Sequence, residues 1–442
     1  MGNTDSAVVQ KRMVRFRPDE RPAVEGACDR LLGAGKVLSL DAVKASMAGV
    51  ASASMAERVH RAIRRTNGGA ATPPGGASRE QLLVFLADVL RGTAEERAPA
   101  VAAMAAPAEG AGRGAVAADD VREFLEDLVS AAIQTLTSRG RLRGWRPDRM
   151  GDGAGRVKLL AEQLSSELKV TDQGACDIPA VEDWLFRTPA VALHLDLVTS
   201  EGLGVRIPSR APPELLPPCG AAPWAELRTL LDLPLLMFLA PHLPDAGAAP
   251  WRLLFSTRVH GESFTRLVSG CARRGPSVLL ARDSRGYEFG GFASQSWDAK
   301  PQFQGDSRCF LFSARPSLRV YTCTGYNQHY MYLNQGQQTM PNGLGMGGQL
   351  GYFGLWLDSD FGRGHSRARP KCTTYGSPQL SGEEEFVLDA LEVWGVGQPP
   401  ESQQAPVKRS VLDADPETQA MMEMAGKTLH SQGLREPEEE ES

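Results

Sequence analysis

The sequence predicts an α+β chain: an all-helical, EF-hand-like first half, then a two-sheet β region with a few helices, then one C-terminal helix. Three observations carry that expectation. Residues 20–215 are rich in alanine and repeat helix-start signals. From Leu253 to Gly397 the chain changes to short aromatic and β-branched runs broken by glycine. Residues 411–433 then carry one apolar stripe at helical spacing between a start and a stop signal.

Composition narrows the function classes. A length of 442 residues suggests roughly two to four domains. Hydrophobic content of 42% and charged content of 23% are ordinary globular values. A net charge of −5, with no basic stripe interleaved with aromatics, argues against nucleic acid as a partner. The seven cysteines form no C-x-x-C pair, and no N-x-S/T sequon occurs, as expected of reduced thiols in a cytosolic protein. The best apolar run, Leu230–Leu239, is too short for a bilayer and contains Pro234.

Residues 1–19 read as an acylated, basic N-terminus. Met1-Gly2-Asn3-Thr4-Asp5-Ser6 matches M-G-x-x-x-[ST], which makes Gly2 the candidate acceptor of a myristoyl amide. No other cofactor is expected. One such chain binds membranes with an affinity on the order of 10⁴ M⁻¹, so stable attachment needs a second signal. Lys11, Arg12, Arg15 and Arg17 offer one, with no acid among them. Each basic charge near an anionic leaflet contributes about 1 kcal/mol.

Residues 20–215 should form helices in succession. Ser54-x-x-Glu57, Ser78-x-x-Gln81 and Thr93-x-x-Glu96 have capping-box spacing. The clearest helix starts near Asp119–Asp120; Val121, Phe124, Leu125, Leu128, Ala132 and Leu136 share its apolar face, and Gly140 marks its stop. Residues 155–170 and 180–199 continue the pattern, with Pro189 as a break. Helix pairs of this length are EF-hand-like, but the best calcium-loop candidate, starting at Asp148, has Leu159 where the twelfth ligand should be. A calcium-free scaffold is therefore expected, not an ion sensor. Residues 66–77 and 106–118 are Gly/Ala/Pro-rich linkers, and the proline-rich stretch Pro208–Pro223 closes this half.

Residues 224–397 should fold as a β domain. Expected strands are Arg252–Ser256, Ser277–Arg282, Tyr287–Ala293, Cys309–Ser313, Arg319–Thr324, Tyr330–Leu333, Tyr352–Leu357 and Phe386–Val396. Ser284-Arg285-Gly286 suits a hairpin turn, and Gly261–Ala272 a helix on the sheet. The spacing GLGMGG at 343–348 matches G-x-G-x-x-G, but it leads into strand-like sequence instead of a helix, so a phosphate site is not expected there. Its glycines should serve positive φ and close backbone packing. His329 and His365, with Asp306, Glu288 and Cys309, are the residues a hydrolase would have to use. No G-x-S-x-G, H-E-x-x-H or metal-ligand spacing accompanies them, so neither enzyme nor metal site is expected. Trp297, Tyr326, Tyr330, Tyr332, Phe353 and Trp356 read first as core and second as a partner surface.

After a linker at 398–410, Asp415-Pro416 starts a helix and Gly433 ends it. Met421, Met424 and Leu429 make its stripe and are the candidate partner-binding residues; 434–442 is an acidic tail. The stripe could dock on its own domain or in a partner's groove. One lysine and three acids between Asp415 and Leu429 weaken calmodulin as that partner.

One ordered set of motifs resembles a known family. GGFAS, Trp297, F-x-GD, CFLF, TGYN, NGLG-x-GG, FGLWLD, CTTY-x-SPQLS and EVWG occur in the order found in the TLDc domain, across about 160 residues. The resemblance implies structural roles for Gly290, Gly291, Trp297, Gly305, Asp306, Gly325, Tyr326, Asn327, Gly343, Gly345, Gly348, Trp356 and Trp394. It also implies binding to peripheral, cytosolic subunits of the vacuolar proton pump (V-ATPase). The flanks are similar to those of a lysosomal member linked to mTOR signalling. Together these imply a non-enzymatic adaptor in the cytoplasm and on the cytosolic face of the lysosomal membrane. Its partners would be the pump, mTOR and its associated proteins, and its effects would be on growth, proliferation and migration. The alternatives are a protein protecting against oxidative stress, or a hydrolase or antioxidant enzyme using the β domain.

Overall fold

The computed structural model describes residues 7–398 except Lys36, Ala70, 108–114, Asp152, Gln173, Ala221 and 245–247. Gly2, Met421, Met424, Leu429 and all residues after Gln398, where the sequence predicts a linker, a helix and a tail, lie outside the described residues.

Short polar caps set the helix boundaries in the first half. The helices are α1 (Ala7–Met13), α2 (Arg21–Leu32), α3 (Leu40–Met47), α4 (Ala53–Arg65), α5 (Arg79–Arg91) and α6 (Ala94–Ala105). Strand β1 (Ala115–Ala117) leads into α7 (Ala118–Ser138), and α8 (Ala154–Ser165) follows. Strand β2 (Ala175–Asp177) leads into α9 (Ile178–Arg187) and then α10 (Pro189–Gly202), with Pro189 opening the last. The capping boxes at Ser78/Gln81 and Thr93/Glu96 both form. The one expected at Ser54 does not. Ser52 caps α4 instead, and Ser54, inside the helix, donates its hydroxyl to Asp127 at 2.7 Å. Helix α7 buries the expected face from Val121 to Leu136.

Loops between these helices meet in pairs. Leu38 and Ala77, in the α2–α3 and α4–α5 loops, exchange backbone hydrogen bonds of 2.8 and 3.0 Å. β1 and β2, in the α6–α7 and α8–α9 loops, pair antiparallel. The calcium-loop candidate near Asp148 passes instead through a 3₁₀ turn into α8. Its Arg156 is 2% exposed and reaches Asp232 and Glu288.

Helix α11 (Leu233–Leu239) then opens the second half, capped by the Asp232 side chain. Strand β3 (Trp251–Ser256) follows, then α12 (Thr257–His260) and α13 (Phe264–Cys271). The remaining strands are β4 (Ser277–Asp283), β5 (Glu288–Ala293), β6 (Lys300–Gln304), β7 (Phe310–Arg315) and β8 (Arg319–Thr322). They continue with β9 (Met331–Asn334), β10 (Gly343–Gln349), β11 (Tyr352–Asp358), β12 (Arg363–His365) and β13 (Glu385–Val396). β6, β10 and β12 were not expected from sequence.

The two expected sheets are joined in one hydrogen-bonded path, β6-β9-β10-β11-β12-β13-β4-β5-β7-β8, with β3 also on β13. β13 belongs to both halves of the path: its start pairs with β12, and the rest pairs with β4 and β3. The halves face each other across one core. A Cβ added at Gly291 of β5 would lie 2.5 Å from Met346 Sδ of β10. In β4, Leu279 and Ala281 point into this core, while Val278 and Leu280 point into a second core shared with the helices. Period-two alternation with both faces covered explains why β4 is apolar without a break from Val278 to Ala281.

The helical core is thus continuous with the outer face of β4, β5, β7 and β13. Trp145, Trp224, Trp251 and Trp394 meet at this joint, with centroid separations of 5.3–6.5 Å. Among them, Trp394 donates its indole N–H to Glu392 at 2.9 Å. Glu392 is buried and also accepts from Thr229 (2.6 Å) and the Leu230 amide (3.0 Å). Burial pushes its carboxyl up, and these three donors oppose that. The boundary near residues 215–224 is therefore a packed joint.

Candidate interaction surface

The glycine motif is structural, for a reason visible in its neighbours. GLGMGG forms β10, between β9 and β11, and another strand follows it, not a helix. A Cβ at Gly345 would lie 2.7 Å from Phe353 Cδ1 and 2.9 Å from Trp356 Cε3. Those two rings stack 4.5 Å apart over the trough that the glycine leaves. Gly348 has φ +84°, a conformation L side chains rarely adopt. Gly290 likewise has the Leu279 carbonyl oxygen where a Cβ would go. Gly343 leaves room for the Trp356 ring, and Gly305 for Met331 and Cys309.

The groups a hydrolase would need are each engaged elsewhere. His329 stacks on Phe303 at 4.0 Å, and its Nδ1 bonds the Gly348 carbonyl at 2.6 Å. His365 accepts the Phe353 amide at 3.3 Å; burial, with Arg367 beside it, pushes its pKa down to about 4. Arg308 grips Asp306 and holds that carboxyl well below the usual range. Glu288 pairs with Arg156 and lies 3.5 Å from Arg315. Among the described residues, neither histidine bonds to Asp306, Glu288 or Cys309. No group of three His, Cys, Asp or Glu among them could hold a metal. All seven thiols are free, and burial pushes Cys28 and Cys219 up to about 12.

The aromatics divide into core and surface. Trp297, Tyr332, Phe353 and Trp356 are buried, and Trp297 donates to Ser277 Oγ at 3.0 Å. Tyr326 is 80% exposed, although its backbone is firmly held. Thr324 Oγ1 accepts the Tyr326 amide at 3.2 Å and donates to the Thr373 carbonyl at 2.6 Å. Asn327 accepts from Thr374 Oγ1 at 2.7 Å and donates to Thr373 Oγ1 at 3.1 Å. Thr374 Oγ1 also accepts the Gly348 amide at 2.9 Å, tying in the β10–β11 turn where Leu350 is exposed. Gly325 turns the loop at φ +80°. Tyr326 and Leu350 thus project from one cross-tied end of the β domain. An exposed tyrosine on a held backbone loses little backbone entropy on binding, the profile of an interface anchor. Leu350 and the threonine ties carry no sequence signal for this role, because they are brought together only by the sheet.

The basic N-terminal cluster is partly spent inside the chain. Helix α1 packs on α5 through Val9 and Met13. Arg12 reaches Asp88 (3.1 Å) and Glu96, and Arg15 also reaches Glu96. These two cations are therefore corrected from free charges to bridges between α1, α5 and α6. Lys11 and Arg17 are exposed, with no side-chain ion pair among the described residues.

A family model described as TLDc domain matches residues 226–397. The chain is 66% identical, over 100% of both lengths, to the Danio rerio protein named MTOR-associated protein MEAK7. Identity to the Homo sapiens protein of that name is 42%, again over 100% of both. Oxidation resistance protein 1 of Bos taurus is 35% identical over 35% of this chain and 17% of that protein.

Proposed function

Because the chain belongs to the family of mTOR-associated proteins with a TLDc domain, we propose that it is a non-enzymatic regulatory adaptor. It acts at the cytosolic face of the lysosomal membrane, binds the peripheral subunits of the V-ATPase and supports mTOR signalling. The Gly2 myristoyl group, helped by Lys11 and Arg17, holds the chain at the membrane, and the helix at 411–433 adds a contact to the pump. The helical half is an EF-hand-like scaffold without calcium. Two attachments on one chain raise local concentration without a larger interface.

The observation that carries the reading is the preorganised Tyr326 loop, in a domain whose His329, His365, Asp306 and Glu288 side chains are engaged within its own fold. Full-length similarity to proteins named for mTOR association supports the signalling side. The experiment is binding of the full chain to purified V-ATPase peripheral sector. Wild type should bind, and Tyr326→Ala should weaken it about tenfold, the cost of one interface anchor. Absence of wild-type binding would sink the pump contact. A second reading, protection against oxidative stress, is favoured by the similarity to oxidation resistance protein 1. It predicts that cells lacking the protein lose peroxide resistance and regain it with the full chain.

A further inference from the structure

A cavity of about 330 Å³ opens where the ends of α7 and α10 meet the segment 205–213. Leu90, Val205 and Ile207 contribute apolar lining, and Pro212 and Pro213 form a stiff wall. The polar lining is unusual: Arg139, Arg141, Arg206 and Arg210 stand with Asp196, Glu201 and Ser200. A lining of this sort can be purely internal, because arginines satisfy carbonyls at helix C-termini. Several do so here. Arg210 pairs with Asp196 and donates to the Leu90 carbonyl at 3.3 Å. Arg139 lies 3.1 Å from Glu201, and Arg141 donates to the Pro213 carbonyl at 2.9 Å.

Those partners do not use up the donors. Arg206 is exposed and has no ion pair or hydrogen bond among the described residues. Arg141 Nη1 is buried, makes no hydrogen bond and stands 3.8 Å from Glu201. A buried guanidinium N–H without an acceptor is costly, and an anion entering the cavity would supply one. The cavity also lies beside the N-terminal segment. Ser209 donates to Glu20 at 3.2 Å, and the other oxygen of Glu20 accepts the Arg17 amide at 3.0 Å.

We propose that this cavity binds a polyol bearing phosphate monoesters, held by Arg141 and Arg206 with Arg139 at its rim. Guanidinium forks match phosphate oxygens, and the volume is that of a small polar ligand. The same chemistry is offered by a phosphoinositide headgroup in a membrane and by a soluble inositol phosphate. The site stands apart from the pump contact and does not depend on it.

The test uses the full chain with two probes: inositol hexakisphosphate in solution, and phosphatidylcholine vesicles with and without phosphoinositide. Arg206 is exposed, so Arg206→Glu should fold normally, and Arg228→Glu is a charge-matched control outside the cavity. Binding that falls roughly tenfold or more in R206E and is unchanged in R228E supports the site. Binding only to phosphoinositide vesicles identifies the lipid, and efficient competition by inositol hexakisphosphate identifies the soluble form. No binding to either probe, or equal loss in both variants, overturns the proposal.

Discussion

Trp145, from the helical half, and Trp394, from β13, have ring centroids 5.3 Å apart. That contact lies in a core cluster that runs unbroken from the helices to β13, so the two halves should unfold as one unit. Trp394→Ala should cost about 3–5 kcal/mol, as large-to-small aromatic changes in a core do. The loss should be shared. Helical circular dichroism and tryptophan fluorescence should still report one transition, moved to lower denaturant. Two separated transitions in the wild type would refute a common core.

Arg156 is the charged counterpart of that joint. It is 2% exposed and pairs with Asp232 at 2.7 Å and with Glu288 of β5. Burial pushes Asp232 up to about 6 despite the arginine. Arg156→Ala would leave two buried carboxyls with only Arg315, at 3.5 Å from Glu288 and partly exposed, as a nearby cation, for a loss of about 3–5 kcal/mol. The triple change R156M/D232N/E288Q should recover much of it, because no buried charge then lacks a partner. A triple variant as unstable as R156A would show that packing, not charge, holds this point.

Asp88 gives a pH test with a definite sign. It is buried on α5, and burial, opposed by Arg12, Arg15 and Arg97, pushes its pKa from 3.8 up to about 6. Between those values the folded state holds more protons than the unfolded chain. This group's contribution to stability therefore falls as pH rises through that window and is level above it. Asp88→Asn removes the titration. Relative to wild type, the variant should gain stability from pH 4 to pH 6 in urea unfolding. A difference that is flat, or moves the other way, would show that Arg12 neutralises the carboxyl fully.

What the sequence disclosed and what it hid follow from the range of the forces involved. Capping at Ser78 and Thr93 is local, so spacing alone located both helix starts. Ser52 and Ser54 both offer a hydroxyl near one boundary, and only backbone geometry selects Ser52. β10 escaped notice because strand propensity is read from branched and aromatic side chains, whereas this strand uses glycine to admit rings from β11. β6 contains Pro301, and β12 has three residues, too few to show alternation. Lys11, Arg12, Arg15 and Arg17 looked alike in sequence; Asp88 and Glu96, from other helices, separate them. The Tyr326 loop was legible as a motif, but its exposure was not, since buried Tyr332 has the same composition signal.

The glycines of the β domain allow a graded test of that last kind of constraint. At Gly345 an added methyl would meet Phe353 and Trp356 side-chain atoms at 2.7 and 2.9 Å. Rings can shift, so Gly345→Ala should cost about 1–3 kcal/mol, the range for overpacking a core. At Gly290 the obstacle is the Leu279 carbonyl, fixed by the pairing of β4 with β5. A backbone atom in a paired strand cannot yield without breaking the ladder, so Gly290→Ala should be the worse of the two. It should reduce soluble yield or abolish the cooperative transition. Gly325 is the control: its φ is positive, but nothing lies within 4 Å of an added Cβ. Gly325→Ala should therefore cost only the backbone strain, about 1–2 kcal/mol. Thermal unfolding of the three variants should rank them Gly290, then Gly345, then Gly325, from most to least damaging. A Gly290→Ala protein as stable as Gly325→Ala would mean that β5 does not pack against β4 as described.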